Sequence, residues 1–416
     1  MNDRIDSMYG RGFMKYKNRI AKTLSFIFVS CLVLAASVSV FAQTAKENDK
    51  ELAQAMEFAR QNRHVDALPL LEKAALRYPA DGEVQASLGV SILANSTTIK
   101  DEEQRRKEVA RGAEILRKAK KLGTENILAL HFLDKLEAGM DIGVGFNASS
   151  KEVEDAIREG EGFFGRGEYD KAFLAYERAY KLDPKSYDAA LFAGDCFFGQ
   201  KRYKEADVWF ARAAAIDQNR EQALRFWGDS LLGQNKPAEA LAKFAEAIIA
   251  ESDSRLAWNS FWETVKNQGI RTVPPFIVAP GSENSDTLEI VIDAKLLKAE
   301  DGTINWNRYT ETRRQQIAKF NTVANGRKFE PTVSEDTEAL KSVAAGVSAG
   351  LKEKKIVKLH QGLENLAKLN ELGLTDIYVL MFLHDGNSSD EFEGFRAKNR
   401  DRMRRFFLEY LAELKP

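Results

Sequence analysis

The sequence predicts an all-α protein: a solenoid of stacked helical hairpins, followed by a mainly helical C-terminal domain with at most one short strand. Three observations lead there. A period of 34 residues runs through the middle of the chain, with Gly160, Gly194 and Gly228 in one column, Ala172, Ala206 and Ala240 in a second, and Ala179, Ala213 and Ala247 in a third. Between the alanine columns a ring recurs in phase as Tyr176, Phe210 and Phe244. A 44% hydrophobic content with nine prolines in 416 residues supplies enough apolar surface for real cores and argues against a largely disordered chain.

Charge and cysteine content exclude some classes of function. Lys and Arg number 61 against 62 Asp and Glu, which removes the electrostatic footprint of a general nucleic-acid binder. Two cysteines cannot staple a disulfide scaffold, and four histidines leave little for a His-based metal site.

Residues 1–42 read as an address. Lys15, Lys17, Arg19 and Lys22 precede an apolar run from Thr23 to Ala42, and the chain turns polar at Gln43. A basic start, an apolar middle and small residues at the end make a secretory signal peptide, with Val40 and Ala42 in the small subsites and the cut between Ala42 and Gln43. The signal reads from Met14, so residues 1–13 look like an upstream start-site extension. Two alternatives stay open. Residues 23–42 are long enough to remain as an uncleaved membrane anchor, and Cys31 follows Val29-Ser30 as in a lipoprotein, although the apolar run continues past it. Each reading puts the folded part outside the cytoplasm, in the periplasm or secreted. Cleavage removes six basic and two acidic residues, leaving 55 against 60 and a formal net charge of −5. Cys196 is then the sole thiol, read as a small buried helix residue.

Residues 48–138 read as two degenerate copies of the repeat with a polar insertion from Asn95 to Arg106 and a spare helix from Leu128 to Leu136. Ala67, Leu71, Ala74 and Pro79 keep the second-helix pattern, and Gly89 restarts the register. Residues 139–152 form a joint. Residues 153–254 hold three regular copies, the first with helices from Lys151 to Gly165 and from Tyr169 to Leu182, stopped by Pro184. Small residues sit where paired helix axes approach closely, and the rings fill the space beside them. Residues 255–269, with Trp258, Phe261 and Trp262, continue the phase without a partner helix and read as a capping helix.

These columns resemble the tetratricopeptide repeat family in the glycine and alanine slots, in the intervening ring and in Pro184. Gln218 and Ser252 depart from the proline slot in the next two copies. The resemblance implies a concave groove, lined by the first helix of each copy, that holds a protein or peptide partner. Carried over slot by slot, it presents Ile157, Glu161 and Phe164, then Leu191, Asp195 and Phe198, then Arg225, Asp229 and Leu232. An acidic ladder beside an apolar row implies a partner with basic and apolar groups. The family's clamp for peptide carboxylates needs Lys and Asn at these places, and neither is there. The pattern Gly160-x-Gly162-x-x-Gly165 satisfies a dinucleotide-binding motif, but it lies inside a helix set by the repeat, so no nucleotide cofactor follows.

Residues 270–286 read as a proline-rich linker and 287–416 as a mainly helical domain of unknown function. Thr287 to Ile292 alternates as a short strand. Helical segments follow at Trp306–Phe320, Glu335–Lys352, Val357–Leu372, Asp376–His384 and Glu391–Leu414. The last carries Arg396, Lys398, Arg400, Arg402, Arg404 and Arg405 among Phe395, Phe406, Phe407 and Tyr410, a pattern that could meet an anionic lipid surface or nucleic acid, but acids dilute it and it reads as a solvated face on a packed helix. No catalytic motif, cofactor site or metal spacing is present, since the four histidines are dispersed and no nucleophile elbow or phosphate loop occurs. The leading reading is an exported, non-enzymatic scaffold. An enzyme with its site in the C-terminal domain and a self-associating envelope component are the alternatives.

Overall fold

The computed structural model describes residues 49–139, 148–271, 275–280, 290, 292–324, 327–384 and 389–414. The proposed cleavage site at Ala42 and Gln43, most of the joint at 139–152 and most of the strand expected over Thr287–Ile292 lie outside them. Among the described residues the regular structure is helical throughout, and no helix is long and apolar enough to cross a membrane.

The first sub-array contains α1 (Lys50–Arg60), α2 (His64–Arg77), α3 (Gly82–Ser96), α4 (Glu102–Lys121) and α5 (Ile127–Glu137). Asp49, Asp81, Asp101 and Asn126 cap α1, α3, α4 and α5 by accepting backbone N–H groups of the first turn, which those four short polar side chains are suited to do. The polar insertion thus becomes the end of α3, a turn and the start of α4. The second sub-array stacks α6 (Lys151–Phe164), α7 (Tyr169–Leu182), α8 (Tyr187–Gly199), α9 (Tyr203–Ile216), α10 (Glu221–Gly233), α11 (Pro237–Ala250) and α12 (Arg255–Asn267). Ser150, Ser186 and Ser254 cap α6, α8 and α12.

The glycine column has a direct packing cause. A Cβ placed on Gly160, Gly194 or Gly228 would stand 2.4, 2.6 or 2.4 Å from the ring of Tyr176, Phe210 or Phe244. The ring therefore lies flat on the facing helix backbone, and each ring is fully buried. The hairpin turns repeat as well: Gly167, Lys201 and Asn235, again 34 apart, all take left-handed φ values of 74°, 59° and 59°. Lys201 does so without glycine's freedom, so the turn geometry is imposed by the stacked helices.

The C-terminal domain holds α13 (Trp306–Asn321), α14 (Val333–Lys352), α15 (Gln361–Leu372), α16 (Thr375–Tyr378) and α17 (Ser389–Arg405). α16 and α17 each run on into a π-helical turn, Val379–Leu383 and Phe406–Leu411. The helix expected from Val357 starts later, at Gln361, because His360 turns out of helical geometry and caps it through its ring nitrogen to Gly362 N–H. Thr332 and Glu335 close a reciprocal capping box at the start of α14. Residues 275–280 are packed against this domain: Tyr410 donates from its hydroxyl to Pro275 O at 2.6 Å, Ile277 N–H donates to the Tyr378 hydroxyl at 2.9 Å, and Asn365 donates to Phe276 O at 2.9 Å.

Sub-array and domain share one core. Phe261 and Trp258 of α12 meet Phe407 with ring centroids 5.6 and 5.5 Å apart, so α12 carries the C-terminal domain on the face a terminal cap would turn to water. The arginine row of α17 corrects the expected solvated face. Arg396 donates to Ala250 O, Arg400 to Glu246, Asn219 and Gln218 O, and Arg404 to Glu246. A helix spacing of four puts these three guanidiniums in one line, and Glu246 with the C-terminal carbonyl of α11 receives them. Arg402 points to the other side and pairs with Asp376 at 2.8 Å. Lys398, exposed, and Arg405, paired with Glu409 along its own helix, fit the solvated reading, and the Arg402 and Arg404 side chains stay partly exposed beside their partners.

Candidate functional site

The first helices of the second sub-array, α6, α8 and α10, line its concave side, as the 34-residue period requires. That side is not an open groove. The first sub-array lies across it and touches it at both ends. At one end Thr97 donates its hydroxyl to Glu161 Oε2 at 2.8 Å, Arg158 donates to Thr97 O at 2.8 Å, and Tyr169 donates to Gln61 O at 3.1 Å. Val65 fills the space above Gly165, where a Cβ would come within 2.9 Å of it. At the other end α5 packs on α12, and Lys135 pairs with Glu251 while Arg255 pairs with Asp134, each at 2.5 Å.

Between the two sub-arrays remains a cavity of about 290 Å³. Of the nine groove residues read from the sequence, Glu161, Phe164, Leu191, Asp195, Phe198 and Asp229 line it. Ile157 and Arg225 do not. Ile157 is fully buried in the sub-array core. Arg225 is buried in an ion pair with Glu221 at 2.9 Å and lies over the Phe226 ring, because a guanidinium removed from water needs a carboxylate partner. Leu232 is 39% exposed near the end of α10 and lies away from the cavity.

The sequence reasoning missed other walls. Phe192 and Phe226 line the cavity and stand 34 residues apart, a periodic signal one slot over from the residues chosen. His64, Asn95 and Phe132 come from the first sub-array and carry no such signal.

Electrostatically the ladder is three unequal carboxyls. Glu161 accepts from the Tyr176 hydroxyl at 2.6 Å and from Thr97, and burial outweighs these bonds to push it above the usual carboxylate range. Asp195 is pushed well above its ordinary value by burial and then by the charge of Glu161. Asp229 is raised to about 6 by burial, against the pull of Arg225 3.9 Å away. His64 faces the same space with its ring nitrogen 3.1 Å from the Ser91 hydroxyl, and burial lowers it to about 4, so it is neutral at physiological pH. Burial lifts the Tyr176 phenol well above its usual range. Among the described residues no group of three or more His, Cys, Asp or Glu is close enough to hold a metal ion. Cys196 is buried and its thiol is pushed up by desolvation, away from reactivity.

Comparison with known proteins places the middle of the chain. Residues 163–226 match the family model described as tetratricopeptide repeat. Similar solved structures include the first tetratricopeptide domain of Spaghetti (RPAP3) bound to the HSP90 peptide SRMEEVD, at 19% identity over 30% of this chain and 99% of that one, with a TM-score of 0.28. YrrB, a tetratricopeptide protein with an unusual peptide-binding site, is 18% identical over 53% and 96% with a TM-score of 0.24. TTC0263, a tetratricopeptide protein of Thermus thermophilus, is 18% identical over 52% and 97% with a TM-score of 0.25. No curated protein matches the chain.

Proposed function

We propose that this chain, which carries tetratricopeptide repeats, is an exported, non-enzymatic scaffold whose second sub-array binds a protein or peptide partner with basic and apolar groups on its concave side. One observation carries the reading: Glu161, Asp195 and Asp229 line a single cavity with Phe164 and Phe198, so acid and ring alternate on one face at the period of the repeat. Charge of one sign beside apolar walls selects a partner of opposite sign and similar mixture. The absence of Lys and Asn at the matching slots argues against a peptide held by its terminal carboxylate. Export is supported by the basic residues before the apolar run of 23–42 and the small residues Val40 and Ala42.

The test is a peptide array of basic–apolar, acidic and neutral segments, read with the wild-type chain and with an Asp195→Asn, Asp229→Asn variant. Basic–apolar segments should bind the wild type and lose about tenfold or more in the variant, the scale of charge-assisted contacts. Equal binding to both proteins, or a preference for acidic segments, overturns the reading. Mass spectrometry of the protein from its native cell should find Gln43 at the N-terminus; a chain that begins earlier contradicts cleavage.

A further inference from the structure

We propose that the cavity between the two sub-arrays is a binding site for a single organic cation, an alkylammonium or guanidinium group on a short aliphatic stem, held by the Asp195 carboxylate between aromatic walls. The proposal rests on the concave face being the ligand-binding face, and it names the chemical group that the face recognises.

The partners of each charged side chain leave one place for a cation. Both oxygens of Glu161 are engaged, one by Tyr176 and one by Thr97. Asp229 has Arg225 within 3.9 Å. Asp195 lines the cavity between them, and no described residue donates a hydrogen bond to its carboxyl. The two arginines on the same helix faces are committed elsewhere: Arg158 bonds Glu154 and the carbonyl of Thr97, and Arg225 bonds Glu221. The first sub-array adds no cation to this space, since the one titratable residue it contributes to the lining, His64, is held neutral. Asp195 is half-buried at the cavity wall, and a carboxylate partly withdrawn from water with no protein donor gains when a donor of opposite charge arrives.

Shape and surface agree with charge. Phe164, Phe192, Phe198 and Phe226 supply ring faces or edges around the acids, and a cation held near aromatic faces is attracted by their quadrupoles. A volume of about 290 Å³ accommodates a lysine-sized or arginine-sized side chain. The covering first sub-array narrows the groove around Asp195, where one charged group of a ligand meets the carboxylate.

Uptake is linked to pH. Glu161, Asp195 and Asp229 repel one another and are partly desolvated, so the empty site takes up protons more readily than free carboxyls do and releases them when a cation is bound. The other groups facing the three acids are Tyr176 and Cys196, both raised by burial and neutral, His64, neutral above about 4, Arg225, held charged by Glu221, the guanidinium of Arg158, and the carboxyls of Asp188 beside Glu161 and Glu221 beside Asp229. Affinity for a cation accordingly rises with pH as the acids give up their protons.

Isothermal titration calorimetry on the full chain tests this with four probes: n-butylammonium, agmatine, the neutral isostere n-butanol, and a lysine inside an otherwise neutral peptide. At about pH 8 a cationic probe should bind at least tenfold tighter than butanol and should weaken by about tenfold or more in Asp195→Asn, and at about pH 6, where Asp229 is part-protonated, its binding should release protons when two buffers of different ionisation enthalpy are compared. Binding of free butylammonium or agmatine identifies a small-molecule cation; binding of the peptide lysine alone identifies a partner's side chain. Either outcome supports the site. Because Asp195→Asn keeps the shape of the protonated acid, loss of the fold is not its expected effect, and the buffer comparison needs only the wild type. No cationic preference over butanol, or no proton release, overturns the cation site. If basic–apolar peptides in the array still bind, the scaffold reading stands without it; if they also fail, both fall.

Discussion

The two sub-arrays follow the same hairpin plan with different fidelity. In the second, three glycines receive three rings at one spacing, and the stack is regular enough to leave a continuous concave face. In the first, Gly89 and Gly112 meet Leu116 and Leu93 where rings would be, and α3 buries Gln85, Ser87, Ser91 and Ser96 among its apolar residues. Regular repetition produces a periodic surface, and drift from it produces a surface that fits one place. Here that place is the concavity of the regular half, where Val65, Thr97 and Lys135 each find a specific contact.

Substitutions that separate the halves should sharpen this contrast. The largest effect expected is for Phe210→Ala, which empties a fully buried ring site next to Phe198 and Phe226 and should cost about 3–5 kcal/mol in chemical denaturation. A loss under about 1 kcal/mol would mean that the ring column is not what aligns the stack.

Next is a pH effect at the cavity. Asp229 has a folded pKa of about 6 against an ordinary value of 3.8, so its stabilising contribution is fully present below about 4 and is lost as pH rises through 6. Asp229→Asn mimics the protonated acid. The variant should match the wild type near pH 4 and exceed it by about 1–3 kcal/mol near pH 8, measured as denaturation midpoints at both pH values. His64 works in the opposite direction: its folded value of about 4 lies below 6.5, so it lends stability gained as pH rises between those values. That contribution is common to both proteins and cancels in the comparison. Equal stability of the two proteins at pH 8 would contradict a desolvated Asp229.

Glycines of the repeat helices should then part in sign. Gly194→Ala should destabilise by about 1–3 kcal/mol because its Cβ meets a packed ring. Gly162→Ala meets only the flexible tip of Arg166 at 3.8 Å and should stabilise by about 0.5–1 kcal/mol through helix propensity. Thermal midpoints of the two variants moving the same way would break the account of the column. The smallest effect is in the hairpin turn: Lys201→Gly should raise stability by a few tenths to about 1 kcal/mol by relieving a left-handed φ of 59°.

How much of this is legible in the sequence depends on what repeats. The helix read from Tyr169 to Leu182 is α7 to the residue, since alanine, ring and Pro184 bracket it. The acids of the ladder lie in the cavity because a column with period 34 must fall on one face of a solenoid. Ile157 and Leu232 miss it because one slot early or late on a helix turns a side chain into the core or out to water. The docking of the first sub-array is not legible, since Val65, Thr97 and Phe132 sit in no column. Nor is the fate of the α17 arginines, because a charge run is the same whether water or Glu246 faces it.

Zero-length cross-linking reads the enclosure of the concave face from the ion pairs that close it. Carbodiimide treatment of the intact protein followed by peptide mass spectrometry should couple Lys135 to Glu251, residues 116 positions apart whose side chains stand 2.5 Å from each other, and Lys135→Arg should abolish that product. Cross-links confined within residues 49–139 and within 148–271, with none between them, would contradict it.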